Sequence, residues 1–197
     1  MHREKLLSAN KRRLTPIRPA VIPAWAALGR DLQVWLTALG LAALVLAGCS
    51  ESPQLANGAT PPGFTLPRLE GDDSRFPEDY RDQVVMIRFW ADWCPFCKGE
   101  MTALEPVYER LHNQGLQIMA VNVRQDAQTA KAFVDKLGIS YQTLLDSSGE
   151  VARAYGVQGL PTTFFVGRDG TLHNRILGES TPELTERLVR ELLGTEP

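Results

Sequence analysis

Two cysteines separated by two residues, Cys94 and Cys97, are the side chains of this sequence best suited to chemistry. Cys94 lies where an apolar run, expected to be a buried strand, gives way to a helix. A thiol at a helix N-terminus faces the positive end of the helix dipole, which favours the nucleophilic thiolate. Cys97, one turn further on, is then close enough to attack a mixed disulfide formed at Cys94. The spacing therefore favours thiol–disulfide exchange.

Two other uses of this cysteine pair are less well supported. A disulfide that closes so short a loop removes little entropy from the unfolded chain, so it would stabilise a domain only weakly. A zinc site needs about four ligands, and beyond residue 49 the chain adds only His112 and His173 to the pair. We therefore expect no metal and no other cofactor.

The elements that must position the pair alternate between strands and helices. In chain order we predict a hairpin over residues 64–69 and 75–76, a strand at Val84–Trp90, a helix over about 94–113, a strand at Leu116–Val123, a helix from the cap Asp126 to Leu137, a strand over 143–145, a helix over 150–155, a hairpin over 162–166 and 171–177, and a last helix opened by Thr181 and Pro182. Their β-α-β order indicates parallel strand pairing.

Two segments resemble the active-site regions of thioredoxin-fold proteins. Residues 89–100, FWADWCPFCKGE, are similar to the segment that carries the redox dithiol, and residues 155–166, YGVQGLPTTFFV, resemble the segment that carries a cis-proline. Matches at residues 64–67, 120–123 and 168–170 point to the exported TlpA/ResA-like branch. The resemblance implies an α/β thioredoxin fold, with a central mixed β-sheet flanked by helices and an N-terminal β-hairpin extension.

The same resemblance implies roles for individual residues. Cys94 and Cys97 would be catalytic, and a cis peptide before Pro161 would face them. The backbone around Leu160 would pair with an extended segment of a substrate protein, while Trp93 shields the reactive face. The substrate-binding residues implied in this way are Trp93, Pro95, Phe96, Leu160 and Pro161.

Two charged residues near the pair bear on the mechanism. In ResA-like proteins an acidic residue three positions past the second cysteine helps to move that cysteine's proton, and the resemblance gives this catalytic role to Glu100. A solvated helix glutamate is the equally weighted alternative. Arg88 stands where ordinary thioredoxins have a buried Asp. It could pair with Glu100 or extend outward at the end of the sheet, and we favour the outward orientation.

The function implied is that of a cell-envelope thiol–disulfide oxidoreductase acting as a reductase. Its partners would be substrate proteins with disulfides, such as apocytochrome c or copper-site assembly proteins, and a membrane thiol–disulfide electron donor. The dipeptide Pro95-Phe96 has its proline first, as in oxidising enzymes, so a dithiol oxidase is one alternative. A thiol peroxidase of the AhpC/TSA type and a Cu(I)-binding assembly factor are the others.

The N-terminal region predicts export and membrane attachment. Residues 1–31 hold seven basic and two acidic residues, and residues 32–50 carry no charge, a pattern typical of a signal sequence over 1–48. The ending LAGC resembles a lipobox, which implies lipidation of Cys49; an uncleaved signal anchor is the alternative. Residues 49–63 would be the lipid-anchor cysteine and a flexible tether, followed by a thioredoxin-like domain over 64–197.

Composition and charge agree with a single exported domain. The 197 residues are 44% hydrophobic and 22% charged, as in ordinary globular proteins. Beyond residue 31 the chain holds 14 basic and 21 acidic residues. Because an acidic body repels phosphate backbones, we expect no nucleic-acid binding.

Overall fold

The computed structural model of the protein describes residues 55–195. The predicted signal sequence, Cys49 and the first part of the predicted tether lie outside these residues. The elements are β1 (Phe64–Leu66), β2 (Ser74–Phe76), β3 (Val84–Trp90), α1 (Cys97–Leu111), β4 (Leu116–Val123), α2 (Ala127–Val134), β5 (Gln142–Asp146), α3 (Glu150–Ala154), β6 (Thr162–Val166), β7 (Leu172–Leu177) and α4 (Pro182–Leu193). None of the helices in this part of the chain is both long enough and apolar enough to span a membrane.

The main sheet has five strands in the order β5-β4-β3-β6-β7. Strands β3, β4 and β5 are parallel, whereas β6 and β7 run antiparallel to their neighbours. Strands β1 and β2 form a separate antiparallel pair. This confirms the predicted α/β fold with a central mixed sheet and an N-terminal hairpin. The predicted bounds of β3, β4 and β6 agree with the structure, because strands covered on both faces read as continuous apolar runs.

The central strand β3 separates two hydrophobic cores. Its even-numbered residues Val84, Met86 and Trp90 pack with both cysteines and with apolar residues of α1 and α4. Its odd-numbered residues pack on the opposite face with the N-terminal hairpin and α3. Because side chains alternate along a strand, Arg88 projects to the same face as Met86 and Trp90, towards the helix that carries Cys97.

Residues 55–63, which the sequence analysis placed in a flexible tether, are held against the domain. The amide of Gly58 donates to the carbonyl of Leu172 at 2.7 Å, and the amide of Leu172 donates to the carbonyl of Ala59 at 2.9 Å. The hydroxyl of Tyr155 donates to the carbonyl of Pro62 at 2.8 Å. The ordered fold therefore begins upstream of the predicted boundary at residue 64.

The chain then crosses to the other edge of the sheet. After β1, the amide of Leu69 donates to the carbonyl of Thr143 at 3.0 Å, and that of Leu145 donates to the carbonyl of Pro67 at 2.9 Å. Residues 58–69 thus contact β7 at one edge of the sheet and β5 at the other. Covering exposed strand edges is a common protection against unwanted strand pairing.

Two helix ends differ from the prediction, and two helix starts confirm it. Helix α1 begins at Cys97 instead of near residue 94, and α2 ends at Val134 instead of Leu137 because the next residues form tighter i to i+3 turns. The carboxylate of Asp126 accepts from the amide of Thr129 and caps α2. The hydroxyl of Thr181 likewise accepts from Leu184 and caps α4.

Candidate active site

Cys94 and Cys97 form a disulfide between the end of β3 and the start of α1, with their Cα atoms 5.4 Å apart. Cys94 is 2% exposed and Cys97 is fully buried. Two exposed aromatic side chains flank them, Trp93 at 68% and Phe96 at 51% exposure. Cys94 is therefore the less deeply buried of the two cysteines.

Two successive tight turns connect β3 to the helix. The amide of Cys94 donates to the carbonyl of Ala91, and the amide of Cys97 donates to the carbonyl of Cys94, both at 3.2 Å. Pro95 lies in the second turn, before α1 begins. These turns put the two sulfurs side by side immediately before α1.

The predicted cis peptide is confirmed between Leu160 and Pro161. Thr162, the next residue, pairs with Phe89 near the end of β3. Pro161 therefore lies level with the C-terminal end of β3, where the dithiol segment starts. The backbone N–H and C=O of Leu160 make no hydrogen bond to other described residues, which leaves them available to a bound chain.

A side-chain cluster fixes the turn that precedes Cys94. The Gln125 amide oxygen accepts from the backbone amide of Asp92 at 2.9 Å and from the Asn122 side chain at 2.8 Å. The Gln125 side-chain nitrogen donates to the Asp92 carboxylate at 2.5 Å. The sequence alone does not predict this contact between the β4–α2 loop and the loop that carries Trp93, because no local pattern links residues so far apart in the chain.

Arg88 and Glu100 form a buried bidentate ion pair behind the dithiol. The Arg88 Nη1 lies 2.8 Å from Glu100 Oε1, and its Nη2 lies 2.5 Å from Oε2. Arg88 is fully buried and Glu100 is 6% exposed. The expected outward orientation of Arg88 and the solvated alternative for Glu100 are therefore both wrong.

Residues from distant parts of the chain complete this ion pair. Thr163 Oγ1 accepts from Arg88 at 3.0 Å. The backbone amide and the hydroxyl of Ser180 both donate to Glu100 Oε1, at 3.0 and 2.7 Å. Arg88 and Ser180 both donate to Glu100, and a carboxylate that only accepts has the pattern of an ionised group. Thr163 and Ser180 were also missed from sequence, because neither carries a local signal of this contact.

Other polar groups lie away from the dithiol. Among residues 55–195, no group of three His, Cys, Asp or Glu side chains is arranged to hold a metal ion. The His112 ring nitrogen lies 3.1 Å from the carbonyl of Tyr108, and that of His173 lies 3.4 Å from Asp169. A cavity of about 760 Å³ beside β5 is lined mostly by polar residues and includes neither cysteine.

A smaller groove adjoins the dithiol. It has a volume of about 420 Å³, and its lining includes Trp93 and Leu160, the chain neighbours of Cys94 and Pro161. The apolar side chains of Val123 and Val157 also line it, together with the side chains of Arg124 and Arg153. We call these six residues the arginine groove.

Known proteins share both the sequence and the fold. The model of the AhpC/TSA family matches residues 58–175. The thiol-disulfide oxidoreductase ResA of Geobacillus thermodenitrificans is 36% identical over 134 residues, which cover 68% of this chain and 76% of the relative. ResA of Geobacillus kaustophilus is 35% identical over 138 residues, covering 70% and 79%.

Two solved structures have a similar fold. A Chlorobium tepidum protein assigned as thiol:disulfide interchange protein DsbE superposes with a TM-score of 0.68 at 27% identity, over 72% of this chain and all of the other. StoA of Bacillus subtilis superposes with a TM-score of 0.57 at 26% identity, over 66% and 97%.

A dithiol that can close on itself beside a cis-proline, at one end of a five-stranded mixed sheet, defines the class of thioredoxin-fold thiol–disulfide oxidoreductases. The chain is an enzyme of this class. It belongs to the AhpC/TSA family, and its relatives in that family include the ResA thiol-disulfide oxidoreductases.

Proposed function

We propose that the chain is a disulfide reductase of the cell envelope. The observation that carries this proposal is the cysteine pair itself, in which Cys94 is 2% exposed, between the exposed side chains of Trp93 and Phe96, and Cys97 is fully buried. A reductase needs one accessible sulfur to attack the substrate and a second, shielded sulfur to complete the exchange. The unequal exposure of the two cysteines supports that division of roles.

The reaction proceeds in two exchanges. The thiolate of reduced Cys94 attacks a substrate disulfide, forming a mixed disulfide and releasing one substrate thiolate. The thiolate of Cys97 then attacks the Cys94 sulfur, which releases the second substrate thiolate and leaves the Cys94–Cys97 disulfide. Two electrons have passed to the substrate, and a membrane thiol–disulfide donor returns the pair to the dithiol.

Substitution of each cysteine tests this order. Cys94→Ser removes the attacking thiol, so we expect no reduction of a peptide disulfide. Cys97→Ser keeps the attacking thiol but not the resolving one, so we expect a stable mixed disulfide, visible by mass spectrometry as a covalent adduct. An adduct that forms on Cys94→Ser instead would reverse the assigned roles.

The substrate segment binds across Leu160 and Pro161. The unpaired backbone groups of Leu160 support strand-like pairing with an extended chain. Trp93, Pro95 and Phe96 are exposed around Cys94 and form the surrounding surface. Apocytochrome c and copper-site assembly proteins remain the candidate substrates, and trapping on Cys97→Ser in cells of the source organism identifies which of them reacts.

Glu100 takes part as the acceptor of the Cys97 proton. It lies in α1 one turn beyond Cys97, and its hydrogen bonds suit an ionised carboxylate. Arg88 and Ser180 hold the Glu100 carboxylate in place. The carboxylate is therefore already positioned when reduction of the disulfide forms the Cys97 thiol. The test is the pH dependence of thiol alkylation in Glu100→Gln. An unchanged profile removes Glu100 from the mechanism.

The direction of electron flow is tested by the reduction potential of the cysteine pair. A value near or below about −250 mV supports a reductase, whereas a value near about −120 mV makes the chain a dithiol oxidase. The second candidate is retained because the proline-first dipeptide Pro95-Phe96 separates the cysteines.

We further propose attachment to the outer face of a membrane through lipidated Cys49. The LAGC sequence that ends at Cys49 supports this, as does the uncharged stretch before it. Cys49→Ala should move the protein from the membrane fraction to the soluble envelope fraction. Continued membrane association of this variant favours the uncleaved signal anchor.

A further inference from the structure

The arginine groove contains two cations without partners. Neither the Arg124 nor the Arg153 guanidinium makes a hydrogen bond or an ion pair with a described residue. Glu150, one turn before Arg153 in α3, forms no ion pair with it. Both arginines are exposed, so they are available to a ligand in the groove.

The position of Arg124 is built into the fold. Its backbone adopts a positive φ of 58°, and its amide donates to the carbonyl of Asp146 at 3.0 Å. Its side chain lies across Gly149, where an added Cβ would come within 2.5 Å of the Arg124 Nε. The glycine therefore lets Arg124 lie along the groove wall.

The charge of the groove contrasts with that of the rest of the molecule. The chain beyond residue 31 holds more acidic than basic residues, yet the described lining of this groove includes no Asp or Glu. Apolar contacts with Val123 and Val157 lie beside the two guanidinium groups. A segment that combines apolar residues with a carboxylate complements this surface.

We propose that the arginine groove binds a substrate protein through an Asp or Glu that lies within a few residues of its reactive cysteine. This inference rests on the proposed function, because it adds a sequence preference to the same exchange reaction. An extended protein segment fits better than a small free anion, since the groove runs from the unpaired backbone of Leu160 and the exposed ring of Trp93. Arg124 and Arg153 then act as specificity-determining residues.

Peptides with one cysteine test the preference directly. Each peptide carries its cysteine as a mixed disulfide with 2-mercaptoethanol, so exchange releases two thiols and oxidises the reduced protein to the Cys94–Cys97 disulfide. One Asp is placed in turn at each of the four positions on either side of the cysteine, with matched Asn and Lys peptides. The measurement is the second-order rate constant of protein oxidation, followed by acid quench and thiol counting.

At low ionic strength we expect the Asp peptide to react about threefold to tenfold faster than its Asn counterpart at one or more positions. Arg153→Glu should remove the Asp preference, because the new carboxylate offsets the charge of Arg124. Arg153→Lys should keep the Asp preference. Lys136→Glu changes the net charge equally at an exposed position outside the groove, and it should also keep the preference.

Equal rates for Asp and Asn peptides at all eight positions overturn the inference while leaving the proposed function intact. An unchanged preference in Arg153→Glu and in Arg124→Glu also overturns it. If the reduced wild-type protein reacts with none of the peptides, the proposed reductase function fails and the inference fails with it.

Discussion

At the scale of single residues, the buried pair of Arg88 and Glu100 is the most consequential feature of the site. Removing two ions from water costs free energy unless each ion is fully paired in the folded protein. Here the guanidinium binds both carboxylate oxygens, and Ser180 supplies two further donors. The pair therefore holds the carboxylate in one place behind the dithiol.

Removing one partner of this pair should be far more damaging than removing both. We expect Arg88→Met to lower the free energy of unfolding by about 3–5 kcal/mol, because it leaves a buried carboxylate without its counterion. The double variant Arg88→Met/Glu100→Gln should recover most of that loss. Urea denaturation of the three proteins provides the measurement, and a loss below about 1 kcal/mol in Arg88→Met contradicts this account.

At this scale the sequence indicated the cysteine pair and the cis peptide but not the residues that surround them, and the catalytic roles stay predictions. Cys94, Cys97 and the cis peptide before Pro161 follow from short motifs, and the structure confirms the disulfide and the cis bond. The orientation of Arg88 was predicted wrongly. Its partner Thr163 is 75 residues away in the chain, and Ser180, which donates to Glu100, is 80 residues from that glutamate, so no local pattern could indicate that they converge on the ion pair.

At the scale of elements, the ordered segment upstream of β1 is a part of the domain. Three hydrogen bonds join it to β7 and α3's end, through Gly58, Ala59 and Pro62. A chain that begins at Phe64 should therefore be less stable than one that begins at Leu55, by about 3 kcal/mol at roughly 1 kcal/mol per hydrogen bond. Coinciding urea midpoints for the two chains would show that this segment contributes nothing.

Buried tyrosines make the packing of these elements sensitive to alkaline pH. Burial raises the pKa of Tyr155, and likewise that of Tyr141, above the ordinary value of about 10. The unfolded chain then releases these protons first, so the stabilisation is complete below pH 10 and is lost as the pH rises beyond it. At pH 11 we expect a loss of about 1.4 kcal/mol for each tyrosine.

The matched variant for this pH effect is Tyr155→Phe. It also loses the hydrogen bond to Pro62, so the comparison concerns the change in the free energy of unfolding between pH 8 and pH 11, not its absolute value. That change should be smaller in the variant than in the wild type by about 1.4 kcal/mol. An identical change in both proteins would show that Tyr155 does not titrate differently on unfolding.

Strands were easier to predict than the ends of helices or the segment before β1. A doubly covered strand such as β3 has an apolar residue at almost every position, and this is visible directly in the sequence. The Pro- and Gly-rich residues 55–63 have the composition of a tether, but their backbone groups find partners on β7. Composition does not show where backbone hydrogen bonds go, which is why the domain boundary was placed too late.

At the scale of the whole molecule, the dithiol and residues 58–59 lie at opposite ends of the sheet. Leu172 forms hydrogen bonds with residues 58 and 59. It pairs with Val166 of β6, and Val166 in turn pairs with Val85 of β3. Val85 lies five residues before Trp90, the last residue of β3. At about 3.3 Å per residue, this separates the two ends by roughly 17 Å.

Because of this separation, the surface around Cys94 faces away from a support to which the protein is attached just before Leu55. Immobilised on a bead through a tag placed before Leu55, the protein should retain its rate with a large disulfide-bonded substrate, because the exchange surface points away from the support. The protein should lose that rate when it is attached instead through the side chain of Lys98, beside the reactive pair, by chemistry that does not use a thiol. In the first arrangement the reactive sulfur is turned away from the support, towards approaching proteins.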